Sequence, residues 1–138
     1  MPKVVVDTNV FVSGLLKTSV TCRRIIHKLS KKEFILIVSH EILEELIEVI
    51  GRPKFHHIIM RETAEKLIKA IRAKAILVKP SKKLNLVKND PDDDRFLEAA
   101  LEGKADFLVT GDKNLLSLRT FHTTDIVSPA EFIKLIKS

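Results

Sequence analysis

Two hydrophobic patterns alternate along this chain. Short β-branched and aliphatic runs predict buried parallel strands at Val4 to Val6, which stops at Asp7, and at Phe34 to Val38, which stops at Ser39. Between them Ile25, Ile26 and Leu29 stand at helical spacing within Thr21 to Leu29. Ser39 is a good helix N-cap, and after it Ile42, Leu43, Leu46, Ile47, Val49 and Ile50 repeat like one helix face until Gly51 stops it and Pro53 prevents its resumption. A third amphipathic stretch, Glu62 to Lys74, leads into a strand candidate at Ile76 to Val78, and the polar segment from Pro80 to Pro91 reads as a long loop. From Asp93 the positions Phe96, Leu97, Ala100 and Leu101 mark another helix, ended by Gly103, and Phe107 to Val109 reads as a strand entering Thr110-Gly111-Asp112. Leu115, Leu116 and Leu118 suggest a short helix. Ile126 and Val127 suggest a last strand, and Ser128-Pro129-Ala130-Glu131 combines an N-cap, a proline at the first helical position and a capping-box glutamate. Strands alternating with helices predict an α/β fold: a mainly parallel sheet covered on both faces, with right-handed crossovers.

With 138 residues, 45% of them hydrophobic, the chain is expected to form one domain over residues 1–138 around one core. The net charge of +6 favours polyanionic partners, although the Lys and Arg residues are scattered and carry no function by themselves. Cys22 is the only cysteine, which excludes an internal disulfide and a one-chain thiolate zinc cluster and fits a reducing compartment. The opening Met-Pro-Lys-Val-Val-Val meets Asp7 too soon for a signal-peptide core, and no apolar run approaches the roughly 20 residues of a membrane-spanning helix. A soluble cytoplasmic protein without membrane contact is expected. Neither a GxxxxGK[ST] loop nor a serine nucleophile elbow is present. His56 and His57 are adjacent and cannot face one metal, and most of the seven Phe fall in apolar runs, as core residues do.

The carboxylates carry more information. Asp7 and Asp112 follow predicted strands, Glu45 lies on the helix after the second strand, and Asp92-Asp93-Asp94 opens another helix. In an open parallel sheet, ligands bind outside the carboxyl ends of the strands, so four distant segments can converge at one edge. Clustered carboxylates repel and raise one another's pKa, a cost that a hard divalent cation such as Mg²⁺ or Mn²⁺ removes. Each residue also has a plainer reading: Asp7 as a helix or turn cap, Asp112 as a turn residue, Asp90 to Asp94 as a solvated loop, Glu45 on an exposed helix face. Helix phase sorts the competitors. Among Glu41, Glu44, Glu45 and Glu48, Glu45 lies nearest the buried stripe, and among the three aspartates Asp93 falls on the middle of the apolar face, with Asp92 and Asp94 to either side.

These motifs resemble those of PIN-domain nucleases. The similarity runs through Val4-Val-Val-Asp7-Thr8-Asn9-Val10-Phe11-Val12-Ser13, then Ser39 to Leu46 with Gly51-Arg52-Pro53-Lys54-Phe55, then Asp90 to Ala100 and Gly103 to Leu116. Ser128-Pro-Ala-Glu-Phe132 resembles a subgroup described as toxin components of toxin–antitoxin pairs. The resemblance implies a three-layer α/β/α sandwich and a metal-dependent ribonuclease site using Mg²⁺ or Mn²⁺, often in a homodimer, with RNA as substrate and an antitoxin protein as a partner. Matched position by position, Asp7, Glu45, Asp93 and Asp112 take the acidic catalytic and metal-binding places. Thr8, Asn9, Ser13 and Thr110 take those of supporting polar residues. Asp94 stands where an Asn or Asp is common and is either a further metal ligand or a helix cap. Two alternatives stay open: a structure-specific nuclease on DNA or RNA, and a non-catalytic binding module, which four converging negative charges disfavour.

Overall fold

A computed structural model describes residues 1–84 and 91–136. Its strands are β1 (Lys3–Val6), β2 (Ile35–Ser39), β3 (Ile76–Val78), β4 (Phe107–Val109), β5 (Thr120–Phe121) and β6 (Thr124–Val127). Its helices are α1 (Thr8–Leu15), α2 (Val20–Ser30), α3 (His40–Ile50), α4 (Arg61–Lys74), α5 (Pro91–Gly103), α6 (Lys113–Leu116) and α7 (Pro129–Leu135), with a 3₁₀ turn at Pro53–Phe55. The strands form one sheet in the order β3-β2-β1-β4-β6-β5, parallel except for β5 against β6. Together with its helices it is a three-layer α/β/α sandwich, as expected.

The order has a functional consequence. From β1 the chain moves outward to β2 and β3, then returns to place β4 on the other side of β1. The carboxyl ends of β1 and β4 therefore flank the switch point, where the loops leave in opposite directions and open a crevice. Asp7 extends this pairing, its backbone N–H donating to the Val109 carbonyl at 2.9 Å.

Burial follows the apolar pattern. Val4, Val5 and Val6 are wholly enclosed, and α5 packs against β1, β2, β3 and β4 through Leu97, Ala100 and their neighbours. Phe132 anchors α7, meeting the rings of Phe34 and Phe107 edge-on at centroid distances of 5.4 and 5.9 Å. The start of α7 has the expected capping box: Ser128 Oγ accepts from the Glu131 N–H, and Glu131 Oε1 accepts from the Ser128 N–H. Edge strand β3 differs from a buried strand, with Ile76 and Leu77 both largely exposed.

Two elements escape the sequence pattern, and one helix end has its own physical basis. The helix α1 was not evident in the sequence, because Val10, Phe11, Val12 and Leu15 continue the apolar run of β1 with no polar break except Asp7, Thr8 and Asn9. Strand β5, two residues long, has too little pattern to see. Helix α5 ends at Gly103 as its pattern indicates, but not through a left-handed glycine, since no glycine here has positive φ; Lys104 takes that conformation at φ 52°. Gly103 instead allows close approach, as a Cβ there would lie 2.7 Å from Ile37 Cγ2 in β2. The expected loop from Pro80 to Pro91 falls partly on residues 85–90, outside the described residues, and the helix that follows begins at Pro91.

These contacts separate two glycine substitutions. Gly103→Ala forces a methyl against a buried isoleucine and should destabilise the fold by about 1–3 kcal/mol, against the gain that alanine normally brings to a helix. Gly111→Ala meets no atom within 4 Å and should stay within about 0.5 kcal/mol of the parent. Urea denaturation of both variants checks this, and equal midpoints would contradict the close approach.

Candidate active site

At the carboxyl edge of the sheet, Asp7 leaves β1 and becomes the N-cap of α1. One carboxylate oxygen, Oδ1, accepts the Asn9 backbone N–H at 3.1 Å, and the other, Oδ2, accepts the Thr110 hydroxyl at 2.7 Å. Thr110 Oγ1 in turn accepts the Asp112 backbone N–H at 3.0 Å, so one hydroxyl ties the end of β1 to the loop after β4. Asp112 caps α6 by accepting the Asn114 N–H at 2.7 Å. The plain capping role of both aspartates is thus real, and it coexists with their place at the switch point.

A cleft of about 680 Å³ opens beside Asp7. It is lined by Asp7, Asn9 and Asp93, by the four glutamates of α3 (Glu41, Glu44, Glu45, Glu48) with Val49, and by Arg52, Arg95 and Phe96. Six carboxylates face two guanidiniums. Glu45 reaches deepest of the four glutamates: its side chain is 21% exposed, against 50–66% for Glu41, Glu44 and Glu48. That is the outcome of the helix phase, because Leu46 and Ile42 pin the adjacent face to the core. Glu45 also pairs with Arg95, Nη1 to Oε2 at 2.6 Å, while Glu48 holds Arg52 through two nitrogens at 3.0 and 3.2 Å.

On α5, Asp93 is buried and faces the cleft. Asp94 is buried as well, deeper than a position at the side of the apolar face suggests, and it does not line the cleft. One turn on, buried Glu98 accepts the Leu84 N–H at 2.8 Å, and Glu102 accepts the Ser81 N–H at 2.9 Å. Lys83, held by Glu41 at 2.8 Å, joins this strap to α3. The polar supports divide. Thr110 and the Asn9 backbone engage Asp7, whereas Thr8 Oγ1 is buried with no hydrogen-bond partner among the described residues, and the Ser13 carbonyl accepts the Thr18 hydroxyl at 3.3 Å. His56 and His57 are exposed, and His56 Nε2 meets the Gly51 carbonyl at 3.2 Å.

Sequence reasoning missed Arg95, Glu98 and the strap. Arg95 is two residues from Asp93, which on a helix wheel points it away; its long side chain reaches the cleft because α3 packs alongside α5. Only the sequence neighbourhood Asp-Asp-Asp-Arg hinted at it.

The electrostatics are strained. Burial pushes the Asp7 carboxyl above its ordinary value, and the charges of Glu45 and Asp112 push it further, with the Thr110 and Asn9 hydrogen bonds opposing. The donors here are hard carboxylate oxygens, the kind that suits Mg²⁺ or Mn²⁺. As arranged, no three Asp, Glu, His or Cys side chains among the described residues are grouped to hold a metal ion, Glu45 being turned to Arg95 and Asp112 to Asn114.

This fold and this acidic cleft define a class, and the family model described as PIN domain matches residues 3–114. The chain belongs to the PIN-domain family, whose members are generally nucleases. It is 32% identical over 118 residues to an uncharacterized protein of Methanocaldococcus jannaschii, covering 85% of this chain and 75% of that one. In fold it is similar to a chain in the crystal structure of VapBC2 from Rickettsia felis bound to a DNA fragment from their promoter, with a TM-score of 0.58 and 14% identity, over 91% of this chain and 98% of that one. No helix among the described residues is long and apolar enough to cross a membrane.

The raised pKa of Asp7 makes a testable statement about stability. Because the folded state holds this proton more tightly than the unfolded state, the stability it contributes is full below the ordinary value of 3.8 and is lost as pH rises through the raised folded value. Ionised Asp7 therefore costs stability at neutral pH. In EDTA, Asp7→Asn should melt higher than the parent at pH 7, and the gap should close as pH falls below 4. A constant gap across that range would show that Asp7 is not desolvated.

Proposed function

We propose that this chain is a divalent-metal-dependent endoribonuclease, acting in the cytoplasm as one folded unit over residues 1–138, with the cleft beside Asp7 as its active site. The observation that carries the reading is the meeting of Asp7, Glu45 and Asp93 in one cleft at the sheet's switch point, with Asp112 close enough to raise the Asp7 pKa. A cluster that only bound polyanions gains nothing from this charge. The carboxylate oxygens of Asp7, Glu45, Asp93 and Asp112 are the metal donors in this reading, with Asp94 as a further candidate. Bound Mg²⁺ or Mn²⁺ would supply charge neutralisation at phosphate and an acidified water as nucleophile.

The chain's own residues do the rest. Thr110 fixes the orientation of Asp7 by donating to Oδ2, and the Asn9 backbone N–H fixes Oδ1. Arg95 balances Glu45 across the cleft, so Glu45 would have to turn from Arg95 to hold a metal. Arg52 and Arg95 are the cations that can meet phosphate oxygens of a strand entering between α3 and α5. The motif resemblance adds a homodimer and a restraining antitoxin partner to this reading, and the fold shared with a VapBC2 chain is in keeping with it.

Incubation of purified protein with RNA and DNA substrates in Mg²⁺, Mn²⁺ or EDTA tests the proposal. Cleavage of RNA should need metal, and Asp7→Asn and Asp93→Asn should each lower it by about 100-fold or more while Glu44→Ala stays near the parent. Millimolar Mn²⁺ should raise the melting temperature of the parent by mass action and that of Asp7→Asn much less. Full cleavage by folded Asp7→Asn, or a parent whose melting ignores both metals, would overturn the site assignment.

A further inference from the structure

The cleft presents a difficulty for a polyanionic substrate. Its lining is six carboxylates and two guanidiniums, each guanidinium already on a glutamate, yet the whole chain carries +6. The positive charge sits elsewhere. Part of it is gathered in a second groove of about 680 Å³ between α2 and α7, lined by Arg24, His27, Lys28, Lys31 and Lys134 over an apolar floor that includes Ile133.

This groove follows from helix periodicity. Ile25 and Leu29 of α2 are buried, so Arg24, His27, Lys28 and Lys31, at i, i+3, i+4 and i+7, form one stripe on the adjacent exposed face. Helix α7, packed against α2, adds Lys134 from the facing side. The only carboxylate in the lining, Glu33, is paired with Lys28 at 3.4 Å, and Glu131 next to the groove is engaged in its capping box. Among the described residues Arg24, Lys31 and Lys134 make no salt bridge; the Ser128 hydrogen bonds, and after them the charge of nearby Lys134, lower the Glu131 carboxyl's pKa, while Arg24 and Lys31 are exposed. Since α2 leads into the start of β2, the stripe's carboxyl end lies at the opposite edge of the sheet from Asp7 and Thr110.

We propose that the groove between α2 and α7 is a phosphate-binding site that holds a single strand of RNA away from the acidic cleft. The proposal rests on the nuclease reading for the identity of the polyanion, and the site's own chemistry is recognition of phosphodiester oxygens by three or four cations. A stripe from Arg24 to Lys31 is about 10 Å long, room for roughly two neighbouring phosphates of a single strand about 6 Å apart, with Lys134 on the facing side for a further contact. It acts by concentrating the strand against the protein and offsetting the repulsion of the cleft. Long substrates gain from it and a dinucleotide does not.

Binding of a fluorescent single-stranded RNA, measured by anisotropy in EDTA over a salt series, tests the groove without any cleavage. The triple variant Arg24→Ala, Lys31→Ala, Lys134→Ala alters exposed side chains only and should keep the parent's circular dichroism and melting. It should bind about tenfold more weakly, with the slope of log affinity against log salt less negative by about 2. Single-stranded DNA of the same sequence should lose affinity in parallel, as phosphate recognition requires. A control triple on exposed α4, Lys66→Ala, Lys69→Ala, Arg72→Ala, removes the same charge and should leave the slope near the parent's. An unchanged slope in the groove variant, an equal loss in the control, or a loss confined to duplex DNA would each overturn the proposal. Because the readout needs no metal and no turnover, a failure of the nuclease reading would appear as absent cleavage with this binding result intact.

Discussion

The site depends on the placement of one buried carboxylate, Asp7, at the point where the sheet changes direction. Three consecutive valines of β1 deliver it, the Val109 carbonyl accepts its N–H, and the Asn9 N–H and Thr110 hydroxyl donate to its two oxygens. Burying a charge is costly unless hydrogen bonds or a counter-charge offset it, and here the hydrogen bonds do so only in part, since the Asp7 pKa remains raised. The residual strain is a reservoir that a cation can relieve. Glu45 and Asp93 are brought to the same cleft by two helices whose apolar faces are fixed by the sheet beneath them. Rigid elements, not loops, therefore set the acidic lining.

The same helices distribute charge in a segregated way. One end of α5 presents Asp93 to the cleft, and its later turns, through Glu98 and Glu102, hold the strap at Ser81 to Leu84. On the far side, α2 buries Ile25 and Leu29 and turns its basic stripe outward toward α7. A chain of net +6 thus carries an acidic crevice at one sheet edge and a basic groove extending to the other. Fields of opposite sign at two places steer a long polyanion differently from a small one, because only the long one spans both.

Much of this was legible in the residues. Apolar runs of three to five residues ending at Asp7, Ser39 and Thr110, separated by stretches of helical period, determine alternating strands and helices, and hence a mostly parallel sheet between helices. Ser128-Pro-Ala-Glu131 specifies its own helix start, because a capping box is satisfied within four consecutive residues. Helical phase alone separates Glu45 from Glu44 and turns Asp93 inward, since a side chain's direction on a helix is a local property.

What needed the tertiary structure is what depends on a second element. The strand order, which sets β1 beside β4 and makes a switch point, arises from pairings between residues a hundred positions apart. Gly103 looks like a helix stop in sequence, and only the presence of Ile37 across the interface gives it a packing reason. The raised pKa of Asp7, the pairing of Arg95 with Glu45, the burial of Asp94 and Glu98, and the basic groove closed by Lys134 were likewise decided by neighbours on other segments. The physical reason is the range of the forces involved: backbone propensity and side-chain phase act within a few residues, whereas desolvation, charge pairing and steric contact are properties of what the fold brings alongside.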